Sequence, residues 1–549
     1  VVAQETVTGV DPGGPAVPAS ERRTAPEHGG RRAGWRRHAA AVAAGLLMWP
    51  AFPPFGLWPL AILGVAVFAL ALRGLRARTA AWLGFCSGAV FFLAALDGIV
   101  KIGPDGWIIL SLVQALYFAP LGAATAMVGR LRGWPVWTAA LWVTEEFVRG
   151  RVPFGGFPWA RIAFSQTGSP FTPYAALGGA PLVTFVTALA GGLLALAVLS
   201  ASGSWRRAGR EGGGAGAGAP LRGAPTSMWR AVAPPVAGAL ALGLAGLAMP
   251  VPTTGRMVTV AVIQGNVPRL GLDFLGQRKA VLDNHVRRTR ELAAEVRAGR
   301  LPRPELVVWP ENSSDLDPYA DPEARAAIDG AVKEIGVPVL VGAVIDSADG
   351  RHVENRGIVW DPVNGPGDYY VKRHPVPFGE YLPFRDILTK MITRFERIPR
   401  DYLRGKRPGF LRLGPARVGD VICFEVAYDG VVRDVASAEL LIVQTNNATY
   451  GRTSLPPQQI AMSRLRAVEH SRTVLVAATS GISAIVAPDG RMIDKSAEFT
   501  PDIQVARVPT RTTRTPADRV GAVPEWALAF LGIVATGLAI RTGGRKDRS

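Results

Sequence analysis

Long apolar runs occupy residues 39–250 and 523–540, and a block of mixed polarity lies between them. Crossing the hydrocarbon of a bilayer as a helix takes about 20 apolar residues. The runs at 39–52, 55–72, 79–99, 107–129, 135–148, 174–200, 229–250 and 523–540 therefore predict about eight membrane spans. The block at 256–520 has another rhythm. Short β-branched runs at 258–263, 306–309, 337–345, 418–423, 440–444 and 474–478 predict buried strands. Residues 356–361 are the expected hairpin partner of the third run, and Pro488-Asp489 predicts a turn between strands at 482–487 and 490–494. Charged amphipathic stretches at 277–297, 322–335 and 458–473 predict helices. Strands alternating with helices predict α/β layers. No internal repeat is visible.

The expected organisation follows. Residues 1–38, rich in Pro, Gly, Arg and Glu, read as a disordered basic tail without a signal-peptide cleavage site. Residues 39–250 form a transmembrane helical domain of seven spans interrupted by a linker at 201–228. Its glycines at 211–220 imitate a dinucleotide loop, but no strand precedes them, so the segment reads as flexible. Residues 256–520 form the extramembrane domain, 523–540 the last span and 541–549 a second basic tail.

The net charge of +18 fits this scheme without a nucleic-acid partner. Arginines gather before the first run (Arg31, Arg32, Arg36, Arg37), after the second (Arg73, Arg76, Arg78), after the fourth (Arg130, Arg132), after the sixth (Arg206, Arg207, Arg210) and at the end (Arg541, Arg545). A basic excess in every second loop is the positive-inside pattern. It places both termini in the cytoplasm and the 256–520 block outside it. Trp49, Trp58, Trp107, Trp134 and Trp229 fall at run ends, as interfacial anchors do. The loop between the fifth and sixth runs faces outward in this scheme. Its Pro153-Phe-Gly-Gly-Phe-Pro-Trp-Ala-Arg161 reads equally as an ordinary interfacial loop or as a lip holding lipid near a site.

Chemistry concentrates in three segments of the polar block. With two cysteines there is no disulfide framework. Cys86 lies in an apolar run, which leaves Cys423, in Val418-Gly-Asp-Val-Ile-Cys-Phe-Glu425, as the one thiol of the polar block. Glu311 ends Val307-Val-Trp-Pro-Glu311, and Lys372 opens Lys372-Arg-His-Pro-Val-Pro-Phe-Gly-Glu380. Taken singly, each has an ordinary reading: a buried inert thiol, a surface carboxylate, a solvated lysine. Together, at strand tips, they suit nucleophilic catalysis. Glu311 in a partly apolar pocket, its pKa raised by desolvation, is the candidate base. Lys372 and the Phe424 amide are the candidate oxyanion donors. Glu380 and Glu425 are expected to orient Lys372.

In this order and context the three residues resemble the catalytic Glu-Lys-Cys set of the nitrilase superfamily, which implies an α-β-β-α sandwich. Ile263-Gln-Gly-Asn266, His374-Pro-Val-Pro-Phe-Gly-Glu-Tyr-Leu-Pro383, Gln444-Thr-Asn-Asn-Ala-Thr-Tyr-Gly451 and Met462-Ser-Arg-Leu-Arg-Ala-Val-Glu-His-Ser-Arg472 extend the likeness. With spans on both sides and Gly156-Phe-Pro-Trp159 in the outward loop, residues 40–540 resemble the apolipoprotein N-acyltransferase family. The resemblance implies a multi-pass bacterial inner-membrane enzyme. It would move an acyl chain from a phospholipid, through a Cys423 thioester, to the N-terminal amine of a diacylglyceryl-cysteine apolipoprotein. Glu311 would be the base, Lys372 the oxyanion donor and Cys423 the nucleophile, supported by Glu380, Glu425 and Phe424. Phe274 (in the segment where relatives often carry a tryptophan), Trp159, Asn355 and Asn446 are expected to contact substrate. No cofactor or metal is implied, and no His/Cys cluster has zinc spacing. A membrane-tethered amidase and a non-enzymatic scaffold carrying a nitrilase-like module are the alternatives.

Overall fold

The computed structural model describes residues 28–211, 224–267, 277–391 and 400–546. Eight helices follow the apolar runs: α1 (His28–Met48), α2 (Pro59–Leu72), α3 (Ala77–Ala95), α4 (Pro104–Val128), α5 (Trp134–Arg149), α6 (Ala175–Glu211), α7 (Ala224–Leu247) and, after the α/β block, α14 (Val523–Lys546). Among the described residues, five helical segments are long and apolar enough to cross a bilayer: 77–95, 104–128, 172–203, 228–247 and 523–542. This is a membrane protein. Helices α3 and α4 meet at small residues, where nothing larger fits. A Cβ on Gly84 would lie 2.2 Å from the Phe118 carbonyl oxygen, and one on Gly122 2.4 Å from that of Ala80. Lipid tails provide no hydrophobic drive for helix association, so such close approach carries it.

Two expectations need correction. The 1–38 tail is helical from His28, and residues 1–27 lie outside the described residues. The 201–228 linker is also shorter, because α6 continues to Glu211 and α7 begins at Ala224, with 212–223 outside the described residues. Arginine and alanine favour helix, and extending an existing helix avoids the cost of nucleating one, so α1 and α6 run past their apolar segments.

The α/β block contains β1 (Arg256–Gln264), α8 (Arg278–Arg297), β2 (Leu306–Val308), α9 (Pro322–Ile335), β3 (Val339–Asp346), β4 (Val353–Asp361), β5 (Gly365–Val371), α10 (Arg385–Met391), β6 (Phe410–Leu413), β7 (Ala416–Ile422), α11 (Asp429–Asp434), β8 (Leu440–Thr445), α12 (Leu455–His470), β9 (Val474–Ala478), β10 (Ala484–Val486), β11 (Met492–Lys495), β12 (Asp502–Thr510) and α13 (Pro516–Val520). They build two six-stranded sheets, ordered β12-β1-β2-β3-β4-β5 and β11-β10-β9-β8-β7-β6. The inner strands β1, β2 and β3 are parallel, as are β7, β8 and β9, and antiparallel strands flank both sets.

The sheets face each other across Val258, Val260, Val262, Leu306, Val308, Leu340, Val418, Ile422, Leu440, Ile442 and Leu475. On the outer face of the first sheet, Val307, Trp309 and Val341 pack against Leu282, Leu292, Ile328 and Val332 of α8 and α9. On the outer face of the second, Val421, Leu441 and Val443 share one apolar cluster with Leu465 and Val468 of α12 and with Ala180 and Val183 of α6. The result is an α-β-β-α sandwich whose second helical layer also packs on the membrane helices.

Candidate active site

Glu311 follows β2, Lys372 follows β5 and Cys423 follows β7. The three positions come together at the carboxyl ends of the central parallel strands. Cys423 departs from the expectation. It is not the last strand residue but the first of a 3-10 turn (Cys423–Ala427), with φ of 55°. An L-residue holds that conformation only where its surroundings over-determine it. The turn places the Phe424 amide at its start, where a helix has no internal acceptor for it.

Lys372 is buried between two carboxylates. Its Nζ donates to Glu311 Oε1 and to Glu380 Oε1, each at 2.9 Å. The Asn355 Nδ2 donates to the same two oxygens, at 2.7 and 3.2 Å. The Asn446 amide donates to Glu311 Oε2 at 2.8 Å, and the Val376 amide to Glu380 Oε2 at 2.7 Å. Thr479 Oγ1 donates to the Glu311 carbonyl at 2.9 Å, and Gln444 Nε2 to that of Trp309 at 2.6 Å, which fixes the segment carrying Glu311. The pocket around Glu311, expected to be partly apolar, presents polar donors to both carboxylate oxygens.

Glu425 also differs from expectation. Its carboxylate does not touch Lys372 Nζ. It accepts from the Tyr370 hydroxyl at 3.0 and 2.9 Å, from the amides of Arg373 and His374 at 2.7 and 2.9 Å, and from the Ile422 amide at 2.8 Å. Glu425 therefore ties the backbone of the lysine segment to that of the cysteine turn. Buried carboxylates need such donors.

Burial pushes the Cys423 thiol up to about 12, and the Glu311 charge adds to this while Lys372 opposes it. The nearby Thr445 hydroxyl, which donates to Gln459 Oε1 at 3.0 Å, works against that rise. Lys372 is disfavoured as a cation by burial, but Glu311, Glu380 and Cys423 outweigh that and hold its pKa well above the usual lysine value. A neutral thiol thus rests beside a firmly charged ammonium. Moving the thiol proton to Glu311 leaves the net charge of the site unchanged, and Lys372 then faces a thiolate.

The residues expected to contact substrate divide. Trp159 is buried in a triangle of near-parallel rings with Phe157 (centroids 6.4 Å) and Phe424 (5.8 Å), themselves 5.5 Å apart, and its Nε1 donates to Gln458 Oε1 at 2.6 Å. The membrane loop thereby rests on the residue after the thiol. Asn355 and Asn446 hold Glu311, the latter through its backbone, while its side chain accepts from the Ala448 amide. Phe274 lies outside the described residues. Two more residues of the 444–451 segment, Thr445 and Tyr450, lie at the site without having stood out in the sequence; the Tyr450 hydroxyl pKa is raised by burial and then by Cys423.

Residues 44–193 match the apolipoprotein N-acyltransferase N-terminal domain, and residues 259–517 match the carbon-nitrogen hydrolase family. The apolipoprotein N-acyltransferase of Mycolicibacterium smegmatis is 36% identical, over 92% of this chain and 86% of its own length. That of Azotobacter vinelandii is 31% identical over 93% and 96%. The chain belongs to the apolipoprotein N-acyltransferase family. Among solved structures, an amidase of the nitrilase superfamily from Nesterenkonia AN1 is similar over 47% of this chain and 93% of its own, at 18% identity and a TM-score of 0.34. Membership accounts for the two-part architecture, since each matched family covers one part.

Proposed function

We propose that this protein is an apolipoprotein N-acyltransferase working through a Cys423 thioester. The observation that carries the reading is the convergence of Glu311, Lys372 and the Cys423 turn at one end of the sandwich, beside the aromatic membrane loop. In the first half-reaction Glu311 takes the Cys423 proton and the sulfur attacks an ester carbonyl of a phospholipid. Lys372 Nζ and the Phe424 amide hold the oxyanion. Collapse expels a lysophospholipid alkoxide, which recovers the proton from Glu311. In the second, Glu311 takes a proton from the α-amine of a diacylglyceryl-cysteine as nitrogen attacks the thioester. Cys423 leaves and is reprotonated, the lipoprotein gains an amide, and the cycle is ping-pong.

Glu380 and Asn355 keep Lys372 and Glu311 in place through both steps, and Glu425 sets the distance between the lysine segment and the turn. The stacked Phe157, Trp159 and Phe424 favour apolar acyl chains arriving from the bilayer. In the cell membrane of a bacterium, both termini are cytoplasmic and the sandwich lies on the outer side, a placement that the arginine distribution supports. The test is chemical. Purified protein given phospholipid alone gains one acyl mass on the Cys423 peptide, labile to hydroxylamine. A Cys423→Ala protein that still transfers acyl chains refutes the proposal.

A further inference from the structure

Buried charges link the membrane helices to the turn that carries Cys423. Arg161, in the loop after α5, is 4% exposed. Its Nη1 donates to both carboxylate oxygens of Asp429 at 2.8 Å, and its Nε donates to Glu146 Oε2 at 3.2 Å. Glu146 belongs to α5 and also accepts from the Ile162 amide at 2.7 Å and Thr184 Oγ1 at 2.8 Å. Asp429 opens α11, just beyond the turn. Its Oδ1 accepts from Arg466 Nη2 at 2.6 Å as well.

Arg466 of α12, 1% exposed, completes the chain of contacts. Its Nε donates to the Val426 carbonyl at 2.9 Å and its Nη2 to the Ala427 carbonyl at 3.0 Å, while Nη1 meets Glu469 Oε2 at 2.5 Å. Val426 and Ala427 are the last residues of the turn that Cys423 begins. Glu425 therefore fixes the start of the turn, and Arg466 its end. Each charge here is desolvated, so removing one leaves its partner exposed to the low-dielectric interior. The left-handed backbone at Cys423 needs such bracing.

We propose that Arg161 is a positioning residue for Cys423: through Asp429 and Arg466 it braces the nucleophile turn against the membrane helices, so the membrane domain sets the geometry of the thiol. The inference rests on Cys423 being the nucleophile. Arg161 touches neither substrate nor the reacting atoms. Arginine suits the position because its planar fork engages Asp429 with one nitrogen and Glu146 with another, which an ammonium matches poorly.

The test uses the full-length protein in detergent micelles. Two quantities are read for wild type, Arg161→Met and Arg161→Lys: alkylation of Cys423 by iodoacetamide, measured by mass on its peptide, and kcat and KM with varied phospholipid. A shift of about 1 Å in a reacting group lowers the rate on the order of 100-fold. The expectation for Arg161→Met is a kcat lower by at least about tenfold, a KM within about twofold and a changed alkylation rate, with Arg161→Lys intermediate in kcat. Wild-type alkylation in Arg161→Met, or a change confined to KM, overturns the proposal. If Arg161→Met does not accumulate as a folded protein, Arg161→Lys decides, and a wild-type kcat there overturns it. Alkylation needs no lipid, so it reads the turn separately from the transfer reaction. Acyl transfer surviving in Cys423→Ala would instead sink the nucleophile assignment.

Discussion

Asp420 provides a stability test that needs no substrate. It lies on β7 between Val418 and Ile422, on the face turned toward the other sheet, and is fully buried. Gly357 of β4 makes room for it, since a Cβ there would lie 2.2 Å from Asp420 Oδ2 and 2.5 Å from Gln444 Oε1. Neither Asp420 oxygen, nor Gln444 Oε1, has a hydrogen-bond partner among the described residues. An ionised carboxylate without donors is untenable there. Burial drives its pKa well above the ordinary aspartate value of 3.8, and the charges of Glu425 and Glu311 add to this. The sign follows from proton counts. Below pH 3.8 both folded and unfolded chains hold this proton, and the group adds no pH dependence. Above it the unfolded chain releases the proton while the fold keeps it, so stability falls as pH rises. The slope is about 1.4 kcal/mol per pH unit for as long as Asp420 stays protonated. Asp420→Asn nearly preserves shape, keeps a donor facing Gln444 Oε1 as the protonated acid does, and cannot ionise. It should therefore stabilise the sandwich relative to wild type, by a margin that widens by about 1.4 kcal/mol for each pH unit above 5. Hydrogen exchange at β4 and β7 amides, compared between the two proteins at the same pH, reads this local free energy without unfolding the membrane helices. A margin equal at pH 5 and pH 7 would refute the reasoning, because it would mean Asp420 is ionised in the fold.

Three further outcomes are expected. Alkylation of substrate-free Cys423 should keep accelerating with pH beyond the ordinary thiol range of about 8.5, toward about 12, and Glu311→Gln should lower the midpoint by removing a repelling charge; a plateau near 8.5 in wild type contradicts this. Asn355→Ala removes two hydrogen bonds to carboxylates, each of about 1.5–3 kcal/mol, and should slow thioester formation at least tenfold, whereas Asn355→Asp, adding a third carboxylate around Lys372, should be worse; the reverse order in single-turnover assays contradicts the site geometry. Gly84→Val should break the α3–α4 contact and lower thermal stability in micelles by about 1–3 kcal/mol or more, while Gly537→Ala, with nothing within 4 Å of the added Cβ, should be neutral; equal melting of the two variants would refute the close-packing reading.

The sequence revealed most where burial is two-sided. β1, β2, β7, β8 and β9 are continuous β-branched runs because both faces of each are covered, and their positions match the apolar runs within a few residues. β5, written Gly365-Pro-Gly-Asp-Tyr-Tyr-Val371, and the four-residue β6 are edge strands with no such run. β12 pairs with β1 from the far end of the domain, a register no local pattern encodes. The triad residues stood out by type and context. Their arrangement did not, because the apolar run through Ile422-Cys-Phe424 hides the reversal at φ 55°, and the Asn446 amide acts through a backbone atom common to every residue. The charge chain through Arg161 and Arg466 joins residues distant in sequence, each ordinary on its own.

The most direct measurement is a chase of the isolated intermediate. Protein charged with phospholipid is separated from free lipid and then offered a diacylglyceryl-cysteine peptide in a single turnover. The acyl mass should leave the Cys423 peptide at the rate at which the new amide appears on the acceptor, and should stay on Cys423 far longer in water alone. Acyl transfer to the peptide while the Cys423 label remains in place would contradict it.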